Sequence, residues 1–289
     1  MTLEEAFALG EANCNRRDIL LLLEEATGWT QTQLRMNMTL DSSRSSRSQH
    51  PIPTEATQKF LHMLEQRQRH VPVQYILKQW EFMGLPMYCS GVLIPRPDTE
   101  VLVEQAVSFL QNFSTDLEMR PVQVLDICTG SGCIAIALAH FCRYIRNMQV
   151  TAVDIDSHAL SVAQKNAIFN NVAVAFLCSD LLAEVNGQFD CITANPPYIP
   201  TRDIDDLAEE VRLHEPLLAL DGGVDGLDFY RRIIPACKGH LRANGAVFLE
   251  IGVGQAEAVA NMFCEQEFSD VEVITDLLGR ARVVRAFAR

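Results

Sequence analysis

From residue 121 to residue 287 the chain alternates short apolar runs with helical stretches, and this alternation constrains the fold more than any other feature. Val122–Ile127, Val150–Val153, Val172–Leu177, Phe189–Ala194, Ala246–Glu250, Val271–Thr275 and Arg282–Phe287 read as strands. Between them, Cys133–Cys142, His158–Asn170, Asp225–Lys238 and Ala256–Glu267 read as helices. Apolar strands joined by helices bury both faces of a parallel sheet, so the expected class is a doubly wound α/β domain.

The upstream pattern is different. Leu3–Asn13, Arg16–Thr27, Thr30–Met38 and Thr54–His70 carry helical periodicity, and Ser42–Ser48, with Arg44 and Arg47, is a polar connection. In "QWEFMGLPMYCSGVLIPRPDTE", apolar clusters flank "GLP" as in a hairpin, and Asp98 or Thr99 then caps a helix over Val101–Phe113. The expected organisation is a helical domain over residues 1–78, a connecting β-hairpin and linker over 79–96, and an α/β domain over 97–289.

Charge divides along the same line. Residues 1–90 hold nine basic and ten acidic residues, whereas residues 91–289 hold fifteen and twenty-seven. The acidic α/β domain repels naked nucleic acid, so a DNA substrate is not expected, and a basic or nucleoprotein-bound protein is an easier partner. Nine scattered cysteines form no C-x-x-C pair, which points to a reducing cytoplasm and to no metal centre. The opening "MTLEEAFALG" has no basic head and export core, and "ILLLL" is too short to span a bilayer, so no membrane association is expected.

Two segments carry chemistry. "VLDICTGSGCIAIALA" sets Asp126 and a turn with Gly130 and Gly132 between a strand and a helix, where backbone amides approach a ligand closely. Asp154 ends the next strand, placed to bind ribose hydroxyls, with Asp156 as a competitor. Asp180 follows the third strand, either accepting from an adenine amino group or capping a short helix over Leu181–Val185. Together these features describe a site for an adenosyl cofactor.

The second segment is "FDCITANPPYIP". An amide oxygen on Asn195 and the carbonyl of Pro196 grip the two N–H groups of a planar NH2, while Tyr198 covers its face. The alternative is structural: Asn195 caps the strand and the prolines turn the chain. With a sulfonium cofactor, the chemistry is methyl transfer to nitrogen, aligned and electrostatically favoured by these acceptors. His214 is not required as a base, because the methylated nitrogen loses its proton readily to solvent. Glu215 and Pro216 buttress this site, and Gly222, Gly223 and Gly226 shape the loop that follows.

The set "GLPMYCSGVLIPRPDTE", "LDICTGSG", "AVDID", "CSD", "NPPYIP", "EVRLHEPLLALDGGVDGLDFYRRI" and "DLLGRAR" resembles the bacterial release factor glutamine-N5 methyltransferases, known as the PrmC or HemK family. The resemblance implies a Rossmann-like class I methyltransferase domain, S-adenosyl-L-methionine as cofactor and S-adenosyl-L-homocysteine as product. It implies a peptide-chain release factor as partner, recognised with help from the helical domain, and methylation of the glutamine in its Gly-Gly-Gln loop. It assigns cofactor binding to Asp126, Thr129, Gly130, Gly132, Asp154, Asp180 and Asn195, and the catalytic contacts to Asn195, Pro196 and Tyr198. Pro197, Arg96 and Glu100 join the substrate side. Cys128 departs from the family pattern, standing where a glycine is usual. A ribosomal-protein glutamine methyltransferase, an adenine N6-methyltransferase and an inactive binding protein are the competing readings.

Overall fold

In the computed structural model, residues 1–12, 14–42, 51–112 and 120–288 are described. The expected polar connection with Arg44 and Arg47 lies outside the described residues. The chain divides into two compact units, residues 1–78 with 208–214, and residues 79–207 with 215–289.

The helical unit is built from α1 (Leu3–Glu11), α2 (Arg16–Thr27), α3 (Gln31–Ser42), α4 (Thr54–Gln68) and α5 (Val73–Leu77). Its starts are written in the sequence: Thr2 and Glu5 form a reciprocal capping box, and Asn15 caps α2 through Asp18 N. Leu3, Phe7, Ile19, Leu22, Leu23, Leu34 and Phe60 fill its core. The unit also contains α9 (Glu209–His214), from much later in the chain. Arg67 ties the two parts together, donating to Asp18 at 2.9 Å and Glu210 at 2.6 Å. The sequence reading left residues 208–214 in the α/β domain. A six-residue helix with no buried residue of its own carries no apolar stripe to announce its location.

The larger unit opens with the hairpin β1 (Gln79–Phe82) and β2 (Leu85–Tyr88), paired antiparallel. Its central sheet comprises β3 (Gln123–Ile127), β4 (Gln149–Asp154), β5 (Ala175–Cys178), β6 (Phe189–Ala194), β7 (Leu241–Glu250), β8 (Ser269–Thr275) and β9 (Ala281–Phe287). The order is β5-β4-β3-β6-β7-β9-β8, parallel from β5 to β7, with β9 inserted antiparallel beside β7. β6 is buried at every position: its apolar residues pack in the core, Asp190 is matched by Arg120 and Arg242, and Thr193 donates to Asp126. The helices α6 (Pro97–Asn112), α7 (Cys133–Phe141), α8 (Ser157–Phe169), α10 (Asp228–His240) and α11 (Ala256–Glu265) complete the unit. Strand order reverses between β3 and β6, so a crevice opens at their carboxyl ends, where ligands bind in open α/β sheets. Fully buried Asn166 on α8 secures the approach, bonding Tyr88 of the hairpin and Ser131 O of the turn after β3.

Candidate active site

A cavity of about 240 Å³ lies at this reversal. Its walls take Val92–Arg96 from the segment leading into α6 and Thr99 from its first turn, residues 128–131 from the turn after β3, and Asp154 and Asp156 from the end of β4. Ser179 and Asp180 follow β5, Asn195 and Pro197 follow β6, and Phe229 and Arg232 project from α10. Of the residues singled out from sequence, Arg96, Thr129, Gly130, Asp154, Asp180, Asn195 and Pro197 therefore share one cavity. Asp126, Gly132, Pro196, Tyr198 and Glu100 are not part of its wall.

The turn after β3 is held from both sides. Asp126 is fully buried and accepts from Thr129 Oγ1 at 2.6 Å and Thr193 Oγ1 at 2.8 Å. It braces the turn and leaves the ligand-facing surface to others. Burial pushes its carboxyl up to about 7, against the lowering effect of the two threonine hydroxyls. On the other side, Asp154 Oδ2 accepts from Gly130 N at 2.8 Å and Oδ1 from Asp156 N at 3.0 Å. Asp156, the competitor for the ribose position, uses its carboxylate to cap α8 through His158 N at 2.8 Å. Gly132 serves packing: a Cβ there would stand 2.9 Å from Ala163 Cβ.

Cys128 has φ +56°, a left-handed backbone that suits the glycine usual at this position. Its side chain is accommodated at the cost of local strain, in a turn where Gly130 and Gly132 also have positive φ.

Asp180 is exposed and paired with Arg232 at 2.7 Å. Ser179, not Asp180, supports the following turn, its Oγ accepting from Glu184 N at 3.1 Å. Arg232 lines the cavity because of the direction of α10, which helical periodicity in the sequence does not specify.

On the target side, Asn195 Nδ2 donates to Thr99 Oγ1 at 3.2 Å. The hydroxyl expected to cap α6 is thus committed to Asn195, while Asp98 pairs with Arg282 at 3.0 Å. The loop beyond is tightly braced. Gln255 Nε2 donates to Tyr198 O at 2.9 Å and Gly226 O at 3.1 Å, and Gly222 N donates to Ile199 O at 2.8 Å. A Cβ on Gly226 would meet Tyr198 O at 2.3 Å, so the close approach of these two backbones requires glycine. Burial holds the Tyr198 phenol protonated, raising it well above its ordinary range. Buried Glu215 accepts from Ile94 N at 3.2 Å and pairs with Arg96, joining the "HEP" and "IPRP" segments. Glu100 points elsewhere, its Oε1 receiving Met83 N of the hairpin turn at 3.4 Å. His214 belongs to the helical unit, its Nε2 lying 2.9 Å from Arg69 O.

The donor set suits an adenosyl sulfonium ligand: carboxylates at two successive strand ends, an open backbone turn and apolar walls. A Cβ on Gly130 would meet no atom within 4 Å, so this turn faces open space.

Residues 104–215 match the methyltransferase small domain model, and residues 6–77 match the PrmC N-terminal domain model. A release factor glutamine methyltransferase of Thermodesulfovibrio yellowstonii is 40% identical over 236 residues, spanning 81% of this chain and 82% of the relative. The enzyme of that name from Geobacter sulfurreducens is 43% identical, over 77% and 75%, and that from Haemophilus influenzae 37% identical, over 93% and 90%. The chain belongs to the release factor glutamine methyltransferase family. Among solved structures, the catalytic domain of human Mettl16 in complex with an RNA hairpin superposes with a TM-score of 0.54, at 18% identity over 71% of this chain and 76% of that one. It shares the fold alone. Among the described residues, no helix is long and apolar enough to cross a membrane.

Proposed function

We propose that this protein transfers a methyl group from S-adenosylmethionine to the side-chain amide nitrogen of the glutamine in the Gly-Gly-Gln loop of a peptide-chain release factor, in the cytoplasm. The observation that carries the reading is that Asn195 and Pro197 line the same cavity as Gly130, Asp154 and Asp180. Family membership supplies the substrate class. The acidic α/β domain, with fifteen basic and twenty-seven acidic residues over 91–289, disfavours the adenine-methylating alternative.

When bound, the cofactor would supply an electrophilic methyl on a sulfonium, with S-adenosylhomocysteine as the product. The remaining work is positioning. Asp154 receives the ribose hydroxyls, Gly130 lets the backbone approach, and the Asp180 oxygen not held by Arg232 receives the adenine amino group. Asn195 Oδ1 and Pro196 O each accept one N–H of the glutamine amide, and Pro197 and Tyr198 keep that loop rigid. An amide nitrogen is a poor nucleophile because its lone pair is delocalised. The two hydrogen bonds strengthen as positive charge develops on it, which lowers the barrier electrostatically. The nitrogen then gives up one proton to solvent. Arg96, fixed by Glu215, lies on the approach to this slot, and the helical unit contributes to recognition of the release factor.

The test supplies purified release factor and isotopically labelled cofactor, then locates the label by peptide mass spectrometry. Label is expected on the Gly-Gly-Gln glutamine, with turnover abolished when that residue is Glu. Asn195→Ala should lower kcat on the order of 100-fold. Label at another protein site, or only on an adenine-containing strand, would refute the assignment.

A further inference from the structure

Asn195 is useful as an acceptor only if its amide faces one way. Its oxygen must look into the cavity and its NH2 into the protein. The two ends of a carboxamide have almost the same shape, so sterics alone do not choose between them; neighbouring hydrogen-bond partners do.

Those partners are Thr99 and Glu250. Thr99 Oγ1 lies 3.2 Å from Asn195 Nδ2, and Thr99 is only 2% exposed. Glu250, at the carboxyl end of β7, is also 2% exposed, and Thr99 and Asn195 are the hydrogen-bonding side chains beside its carboxyl. Its Oε2 has no hydrogen-bond partner among the described residues. A buried carboxylate without its full set of partners is costly, and nothing in sheet packing requires one at this position. We propose that Glu250 is a positioning residue for methyl transfer: with Thr99 it engages the NH2 of Asn195 and so presents Asn195 Oδ1 to the target amide. This rests on the functional reading above and extends it to a residue that never meets substrate.

The carboxyl form matters. An ionised Glu250 only accepts, so it admits only the NH2 end of Asn195. A protonated one can donate to an inverted Asn195. Burial pushes the Glu250 carboxyl up to about 7, offset by the hydrogen bond from Thr99. Asp98 from α6 raises it further and Arg282 from β9 lowers it. Tyr198, Tyr230 and Cys133 are the other titratable groups coupled to it. Activity should therefore climb as pH rises through about 7. Asp126 is pushed to the same range, so the pH profile must be assigned by substitution.

The deciding experiment measures kcat, KM for release factor, cofactor affinity by calorimetry and the pH profile for the wild type, Glu250→Gln, Thr99→Val and Thr99→Ser. Glu250→Gln is nearly isosteric, but its own NH2 competes for Thr99 and can turn Asn195 over. It should lower kcat/KM by roughly 10- to 100-fold, retain cofactor affinity and lose the rise near neutral pH. Thr99→Val should fall in the same direction, and Thr99→Ser, which keeps the hydroxyl, should recover most of the loss. A Glu250→Gln enzyme with wild-type turnover or an unchanged pH profile overturns the inference. So does a Thr99→Ser enzyme as impaired as Thr99→Val, since that marks a packing role. If Glu250→Gln does not fold, the Thr99 pair decides. A wild type that binds cofactor but leaves the release factor glutamine unmodified overturns the functional reading itself, and this inference with it.

Discussion

Asp126 near the end of β3 and Glu250 at the end of β7 flank β6 in the same sheet at similar depth, 0% and 2% exposed, and burial pushes both carboxyls up to about 7. They differ in how they are supplied. Asp126 is held by Thr129, Thr193 and the amide of Ala135, all fixed by the elements that carry them. Glu250 lies beside Thr99 and Asn195 and keeps one oxygen without a partner among the described residues. Depth alone therefore does not reveal a carboxylate's task. Full supply marks a brace, and partial supply beside a cavity residue marks a group that orients something else.

Both groups oppose folding as pH rises. Below about pH 4 each is protonated in the folded and unfolded chain alike. Between there and about 7 the unfolded chain releases its protons while the folded chain retains them, so stability falls through this window and levels above it.

The comparison breaks most visibly at the brace. Asp126→Ala strands two buried threonine hydroxyls and frees the cofactor turn; urea denaturation should show a loss of about 2–4 kcal/mol, with cofactor binding abolished. The nearly isosteric Asp126→Asn should flatten the fall in stability between about pH 4 and 7. The threonines sharpen the contrast further. Thr193→Val removes one donor from Asp126 and should cost about 1 kcal/mol of stability with little specific effect on kcat. Thr99→Val should do the reverse, losing turnover with a smaller change in melting temperature. Equal effects of the two on both measurements would erase the distinction. The smallest change is expected at Cys128. Cys128→Gly relieves a left-handed strain but adds freedom to the unfolded chain, and these opposing terms leave a net of only several tenths of a kcal/mol. Thermal denaturation and cofactor titration would read it.

The sheet was legible because its signals are long and redundant. Each strand of the parallel core carries an apolar run punctuated by turn residues, and the hairpin is bracketed around "GLP". The cavity wall was legible where a residue ends or directly follows a strand, as Asp154 and Asn195 do. Three things were not. The resemblance assigns Asp126 to cofactor binding, whereas it is fully buried and accepts from Thr129 and Thr193. Arg232 needed the direction of α10 before it could be brought beside Asp180. Glu250 was passed over in "FLEIG", where a charged residue inside a buried apolar run was itself a signal.

The helical unit includes α9, encoded far downstream of α5, and this bears on how the protein is made. A ribosome releases residues 1–78 first, and Arg67 can meet Asp18 well before Glu210 exists. The first four parallel strands must be translated before residues 209–214 emerge. At about 5–20 residues per second, the nascent helical unit waits roughly 7 to 26 seconds for its last helix. Throughout that interval Arg67 has only one of its two carboxylate partners, and the order of translation decides which comes last.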